Sequence, residues 1–207
     1  MRIYGQGPFM SRERIAGVVL AAGSSSRMGR NKLLVDLSGR SVVRRAVETA
    51  NAAGLSPVLV VIGHERDRIE TELRGLSFTS VINSDYASGM NGSLRTGIAA
   101  VPDECAGAMV LIADMPLVSA DMLRALCDTF RRGSAPLVVS TYDGVLAPPM
   151  LYDRSLFSEL YDVTGEGKSV AKRHRSEAAE LAWPAAALAD LDHPADIERV
   201  LAQLKIL

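Results

Sequence analysis

The feature that most constrains this chain is the alternation of two kinds of segment. Short continuous apolar runs read "IAGVVLAA" (15–22), "PVLVVIG" (57–63), "FTSVIN" (78–83), "GAMVLIA" (107–113) and "APLVVST" (135–141). They show no in–out alternation, the mark of strands buried on both faces. Between them lie segments of helical spacing, "SVVRRAVETANAAG" (41–54), "ERDRIETELRG" (65–75), "GSLRTGIAAV" (92–101) and "SADMLRALCDTFRRG" (119–133). Three of these end at or near a glycine, as helices commonly do. Strand–helix alternation predicts a doubly wound, three-layer α/β/α sandwich around a mainly parallel, mixed sheet.

After residue 141 the pattern loosens. "LAPPML" (146–151) reads as excluded from any central strand, because proline cannot donate to a ladder. "DRSLFSELYDV" (153–163) and "GKSVAKRHRS" (167–176) predict short helices, and "AAELAWP" (178–184) one more strand. "PADIERVLAQL" (194–204) predicts a closing helix with Pro194 at its start. Residues 1–14 read as a flexible N-terminal extension in which Met10 is an alternative start, and 15–207 as one domain. A chain of 207 residues suits one such domain, able to bury roughly 70% of its unfolded surface.

Composition narrows the function. Lys plus Arg number 23 against 24 Asp plus Glu, so the basic excess of a general nucleic-acid binder is missing. Any phosphate binding must come from local placement of charge. No apolar run approaches the roughly 18 residues of a membrane span, and the N-terminus lacks the apolar core of a secretory signal. Cys105 and Cys127 have no metal-like spacing and read as free thiols in a reducing, cytoplasmic setting.

In open sheets of this kind ligands bind beyond the carboxyl ends of the strands. Residues 22–32, 83–93 and 114–118 should therefore converge. The first of these, within "VVLAAGSSSRMGRNKLL" (18–34), takes a buried strand straight into a polar, basic loop. Ordering such a loop costs roughly 1–2 kcal/mol per residue, so an anionic ligand is the obvious compensation. Gly23 and Gly29 allow a turn and a close backbone approach, and exposed N–H groups there can form an anion nest. Arg27 and Lys32 add a bidentate donor and a point charge for phosphate oxygens. The loop is neither GxGxxG nor GxxxxGK[ST], since Leu33 follows Lys32. In "LIADMPLVS" (111–119), Asp114 ends an apolar strand at the same edge, where a carboxylate can hold a divalent metal. Ser119 is placed to cap the next helix.

These motifs carry a resemblance. "LAAGSSSRMGRNKLL" resembles the LAAGxSxRMGxxK loop of nucleotidyltransferases that make nucleoside-diphosphate compounds, and "DMPLV" resembles their metal-holding strand end. "NSDYASGMNGSLRTGI" (83–98) and "LADLDHPADIERV" (188–200) resemble the second loop and closing motif of the molybdenum cofactor cytidylyltransferases. The match runs in family order from about residue 15 to the end of the chain. It implies a Rossmann-like nucleotidyltransferase that moves CMP from CTP onto the phosphate of molybdopterin and releases pyrophosphate. It further implies that Arg27, Lys32 and Asp114 carry catalysis. Leu20, Ala21, Ala22, Gly23, Ser26, Gly89 and Ser93 would join Arg27 and Lys32 in binding nucleotide. Mg²⁺, with Mn²⁺ as a substitute, would sit on Asp114 and Asp192, with Asp190 as runner-up for the second ligand. A molybdenum hydroxylase or its assembly chaperone would be the partner.

The guanylyl relatives have LAGG where this chain has LAAG. The methyl of Ala22 removes room for a purine, and Ser93 can hydrogen-bond a pyrimidine edge; uridylyl enzymes share LAAG, so GTP is excluded better than UTP. Two departures touch the acceptor region. "TGEGKSVAKRH" (164–174) stands for the family's Gly-Asp-x-Gly-Ala-Arg, with Glu166 in place of the Asp. It opens a basic cluster of Lys168, Lys172, Arg173, His174 and Arg175, which would bind the acceptor phosphate or else form a solvated face. "APP" (147–149) stands where many relatives have Gly-His-Pro. His64 reads as a surface or capping residue rather than a base. The alternatives are a same-fold cytidylyl- or uridylyltransferase acting on a sugar or polyol phosphate, and a non-catalytic nucleotide-binding assembly factor.

Overall fold

The computed structural model describes residues 13–23, 30–161, 168–189, 191 and 194–204. The N-terminal extension up to residue 12, Ser26 and Arg27 of the first loop, Gly29, Glu166, Asp190 and Asp192 lie outside the described residues.

Each apolar run becomes a strand: β1 (Ile15–Ala21), β2 (Val58–Ile62), β3 (Thr79–Ile82), β4 (Gly107–Ile112) and β5 (Leu137–Tyr142). β6 (Val145–Asp153) and β7 (Ala179–Trp183) complete a seven-stranded sheet of order β3-β2-β1-β4-β6-β5-β7. β1 runs parallel to β2 and β4, β2 to β3, and β5 to β7. β6 alone runs antiparallel to both of its neighbours. The sheet is thus mixed and mainly parallel, as the alternation predicts.

The prolines of "LAPPML" do not exclude it from the centre of the sheet, which corrects the sequence expectation. β6 lies between β4 and β5. Its pairing with β4 runs from Asp153 to Met150 and stops there. Its pairing with β5 jumps from Val139↔Met150 to Ser140↔Ala147. Pro148 and Pro149 occupy the bulge, where no ladder donor is required. The Tyr142 hydroxyl donates to the Pro148 carbonyl at 2.9 Å and ties the bulge down.

Helices cover both faces. α1 (Val42–Ala52), α2 (Arg66–Glu72), α4 (Ala120–Arg132) and α7 (Pro194–Leu204) lie on one side. Val43, Val47, Ile69, Leu126, Phe130 and Val200 pack there against Val19, Val60, Met109 and Leu151. α3 (Met90–Ala99), α5 (Phe157–Tyr161) and α6 (Lys168–Arg173) lie on the other. Their Leu94, Ile98, Phe157, Leu160 and Val170 pack against Val18, Val61, Val110 and Met150. Two faces needing apolar cover at once explain the runs of β1, β2, β4 and β5. β3 departs from the expectation, since as the edge strand it is exposed or half-buried along its whole length. Ser119 caps α4 as expected, its Oγ accepting from the Met122 N–H at 3.2 Å. α3 sits tight on the sheet: a Cβ on Gly97 would lie 2.5 Å from Val18 Cγ1 and 2.8 Å from Val61 Cγ2. Among the described residues no helix is long and apolar enough to cross a membrane.

Candidate active site

The carboxyl ends of β1 to β4 meet at one edge. The Asn83 N–H donates to the Ile62 carbonyl at 2.8 Å, His64 N–H to Ala22 at 3.4 Å and Ala113 N–H to Leu20 at 3.1 Å. The three polar segments that sequence predicts to converge do converge, as far as their described residues reach.

β1 supplies residues of unlike kinds. Ala21 packs into the α1 side of the core, while Leu20 and Ala22 pack on the α3 side. Any contact of Ala21 with a ligand is therefore through its backbone. A Cβ on Gly23 would meet nothing within 4 Å, and its φ lies outside the left-handed region.

Lys32 is presented by a stiff turn. The Asn31 Oδ1 accepts from the Leu33 N–H at 3.1 Å, and Leu33 is buried in the α1-side core. Asp114 follows β4 in a turn held by the Met115 N–H on Ile112 and the Val118 N–H on Met115, at 3.3 and 3.2 Å. Met115 and Leu117 are buried beneath it. Nζ of Lys32 meets Oδ2 of Asp114 at 2.5 Å, and both side chains are only 16% exposed. Of the three residues to which the resemblance gives catalysis, two are thus in direct contact.

Gly89 enters α3 with φ 110°, a conformation that favours glycine. Ser93, on the first turn of α3, is buried, and its Oγ accepts from Asn83 Nδ2 at 3.0 Å. Its hydroxyl hydrogen is left to donate. Asn83 also accepts the Asp85 N–H at 3.0 Å, so one buried amide fastens the end of β3 to α3. Sequence reasoning missed Asn83; the only signal was a polar residue directly after an apolar run. It also missed Tyr86, whose ring closes over Gly63, where a Cβ would lie 2.6 Å away. His64 packs against that ring, tilted by 53° with 5.8 Å between centroids.

A cavity of about 380 Å³ opens on the α3 side, lined by Leu20, Leu94, Val110, Pro148, Met150 and Tyr152 among others. Met90, 58% exposed, stands at its rim. No charged side chain lines it among the described residues.

Three described members of the basic cluster are paired with acids. Arg173 and His174 Nε2 both hold Glu159, at 2.9 and 2.8 Å, and Arg175 reaches Glu180 at 3.4 Å. The Arg173 hydrogen bond first, and His174 second, keep the Glu159 carboxyl below the usual glutamate range. Lys172 is left exposed on α6. The cysteines are buried free thiols; burial pushes the Cys105 thiol up and the Cys127 thiol up to about 11, which disfavours the thiolate.

Among the described residues no group of three or more His, Cys, Asp or Glu could hold a metal. Asp114 offers hard carboxylate oxygens at the strand edge. That suits Mg²⁺ or Mn²⁺ only if phosphate oxygens and water complete the shell, as is usual where these ions accompany nucleotides.

Comparison with known proteins agrees with this architecture. A bifunctional GlmU protein of Leifsonia xyli is 34% identical over 144 residues, 67% of this chain but 29% of that protein. The chain thus spans under a third of the length of this relative. The crystal structure of Rv0371c from Mycobacterium tuberculosis is 26% identical, covers 91% of this chain and 98% of its own, and superposes with TM-score 0.77. That protein has also been solved in complex with manganese. A nucleotidyl transferase from Methanothermobacter shares the fold at TM-score 0.80 and 22% identity, covering 94% of this chain and all of its own. The family model described as the MobA-like NTP transferase domain matches residues 17–180, and the chain belongs to that nucleotidyltransferase family.

Proposed function

We propose that residues 15–207 act as one cytidylyltransferase domain that moves CMP from CTP onto the terminal phosphate of molybdopterin. The observation that carries this reading is the Lys32–Asp114 pair, a cation and a carboxylate held together at the carboxyl edge beside the glycine loop. An acceptor phosphate oxygen attacks the α-phosphorus of CTP. The new P–O bond forms as the bond to the β-phosphate's bridging oxygen breaks, and pyrophosphate leaves with that electron pair. Charge gathers on the α-phosphoryl group and the leaving group, so the step needs placed cations and backbone donors more than an acid or base.

In this reading Lys32 and Arg27 hold the triphosphate and the open backbone at Gly23 lets it approach. Ser93 donates to the pyrimidine edge, with Leu20, Ala21, Ala22, Ser26 and Gly89 as its surroundings. Mg²⁺ or Mn²⁺ on Asp114 and Asp192 would neutralise phosphate charge. The cavity is shared: its Leu20 and Gly89 end borders the base, and its Pro148, Met150 and Tyr152 end receives the body of the acceptor. Among the described residues its lining carries no charge, and Ser88 and Asn91 offer hydrogen bonds to the polar edge of a flat ring packed against Leu20, Val110 and Met150. Buried free thiols accord with a cytoplasmic setting, where a molybdenum hydroxylase or its chaperone would take the product.

The test is pyrophosphate release with each of the four NTPs, with and without molybdopterin. Release only with CTP and molybdopterin is expected. Release with a sugar phosphate in place of the pterin would replace the acceptor, and faster turnover with GTP would replace the base.

A further inference from the structure

Asp114 meets an ammonium where a divalent cation would have to bind. At 2.5 Å, Lys32 Nζ and Asp114 Oδ2 are in direct hydrogen-bonded contact with no room for an ion between them. The pair is largely shielded from water, so it is stronger than a surface ion pair. Among the described residues no group of three or more His, Cys, Asp or Glu forms a site that could outbid the lysine. The turn that carries Lys32 is fixed by Asn31 and Leu33, but the four-carbon stem of a lysine can swing without moving its backbone.

We propose that Lys32 is the resident counter-ion of Asp114 and keeps the metal position closed until a triphosphate draws the ammonium away, so that metal and nucleotide bind only together. This rests on the reading of Asp114 as a metal carboxylate. Each half of the pair blocks the other's ligand: the ammonium keeps a dication off Asp114, and the carboxylate competes with phosphate for Lys32. Binding of one ligand frees the group that the other needs, which is reciprocal positive coupling. It also protects the enzyme from a metal without substrate. Repulsion between Asp114 and a second acid, the sequence-level reason for weak binding of metal alone, is a different cause with a different signature.

The test uses Mn²⁺ alone and inorganic tripolyphosphate alone, followed by calorimetry and by the Mn²⁺ paramagnetic signal, so it does not depend on CTP or on the acceptor. The intact protein should bind Mn²⁺ weakly, and Lys32→Gln should bind it about 10–100-fold tighter, the range of a charge-assisted hydrogen bond. In chelator, Asp114→Asn should bind tripolyphosphate about tenfold tighter than the unmutated protein. In a Lys32→Gln background the further change Asp114→Asn should give no such gain. An equal gain in both backgrounds would reveal a general field effect and overturn the proposal. So would Mn²⁺ affinity unchanged by Lys32→Gln in a protein whose circular dichroism matches the parent. Failure of the cytidylyl reading would show instead in the NTP comparison, and would leave these titrations as they stand.

Discussion

The two halves of the sheet are built differently. From β1 to β4 the strands are parallel, their carboxyl ends share one edge, and the charged side chains there face each other. From β5 to β7 an antiparallel strand with a proline bulge sits in the middle, and Arg173, His174 and Arg175 outside it are paired with local acids. The first half sets a shielded cation–carboxylate pair at one point; the second closes the cavity, with Pro148, Met150 and Tyr152 of β6 facing Leu20, Leu94 and Val110 of the first. Under the proposed reading the reacting charge lies in the parallel half, and the acceptor sits where the two halves meet, with β6 as the side that relatives on a common scaffold can vary.

The largest effect should come from removing charge in the first half. Lys32→Ala and Asp114→Asn should each lower turnover by roughly 10²–10³-fold, about 2.7–4 kcal/mol, as when one transition-state donor is lost. Arg27→Ala should match them. In the second half, Lys172→Ala and Arg175→Ala should leave turnover within about threefold, the scale of an exposed charge. Steady-state kinetics on the five proteins would break the comparison if the order were reversed.

Next in size is the apolar volume. Met90→Trp at the cavity rim should raise the acceptor KM about tenfold, through lost contact, while CTP affinity by titration stays unchanged. If CTP affinity fell instead, the cavity would belong to the base rather than to the acceptor, and the division between halves would move.

A third measurement concerns how α3 is seated. Gly97→Ala forces a methyl against Val18 and Val61 and should cost about 1–3 kcal/mol in denaturant unfolding. Because α3 carries Ser93, nucleotide affinity should fall with it. A neutral substitution would mean that α3 can lift from the sheet without loss.

What was legible in the sequence follows the same division. Apolar runs such as "VVLAA" and "AMVLI" announced strands because burial on two faces leaves no other reading. β6 was misread because the rule against proline applies only where a ladder donor is needed. The register jump between Val139 and Ser140 removes that need, and it is a tertiary fact. Lys32 and Asp114 were marked through their motifs, but their pairing was not, since they are 82 positions apart in the chain. The basic cluster reads as an acceptor-phosphate site or a solvated face; the pairing of Arg173, His174 and Arg175 is invisible because Glu159 and Glu180 come from neighbouring elements whose approach the local pattern does not encode.

The smallest expected effect tests whether those second-half pairs are purely local. Arg173 and His174 lower the Glu159 carboxyl in the folded protein, so the unfolded chain binds its proton more readily. Stability from this group is complete above the ordinary glutamate value near 4.3 and is lost as pH falls through the lowered native value. Glu159→Gln removes that contribution and resembles the protonated acid. At pH 7 the variant should melt below the parent by roughly 1–3 °C, the size expected of an exposed pair in a chain this long. Approaching pH 3 the two melting curves should converge, because the parent carboxylate is then being neutralised. Added salt should narrow the gap at pH 7 in the same way. A difference that persisted undiminished into acid would mean that Glu159 acts by packing rather than by charge. The ion pairs around α6 would then be part of the scaffold rather than a screen over it.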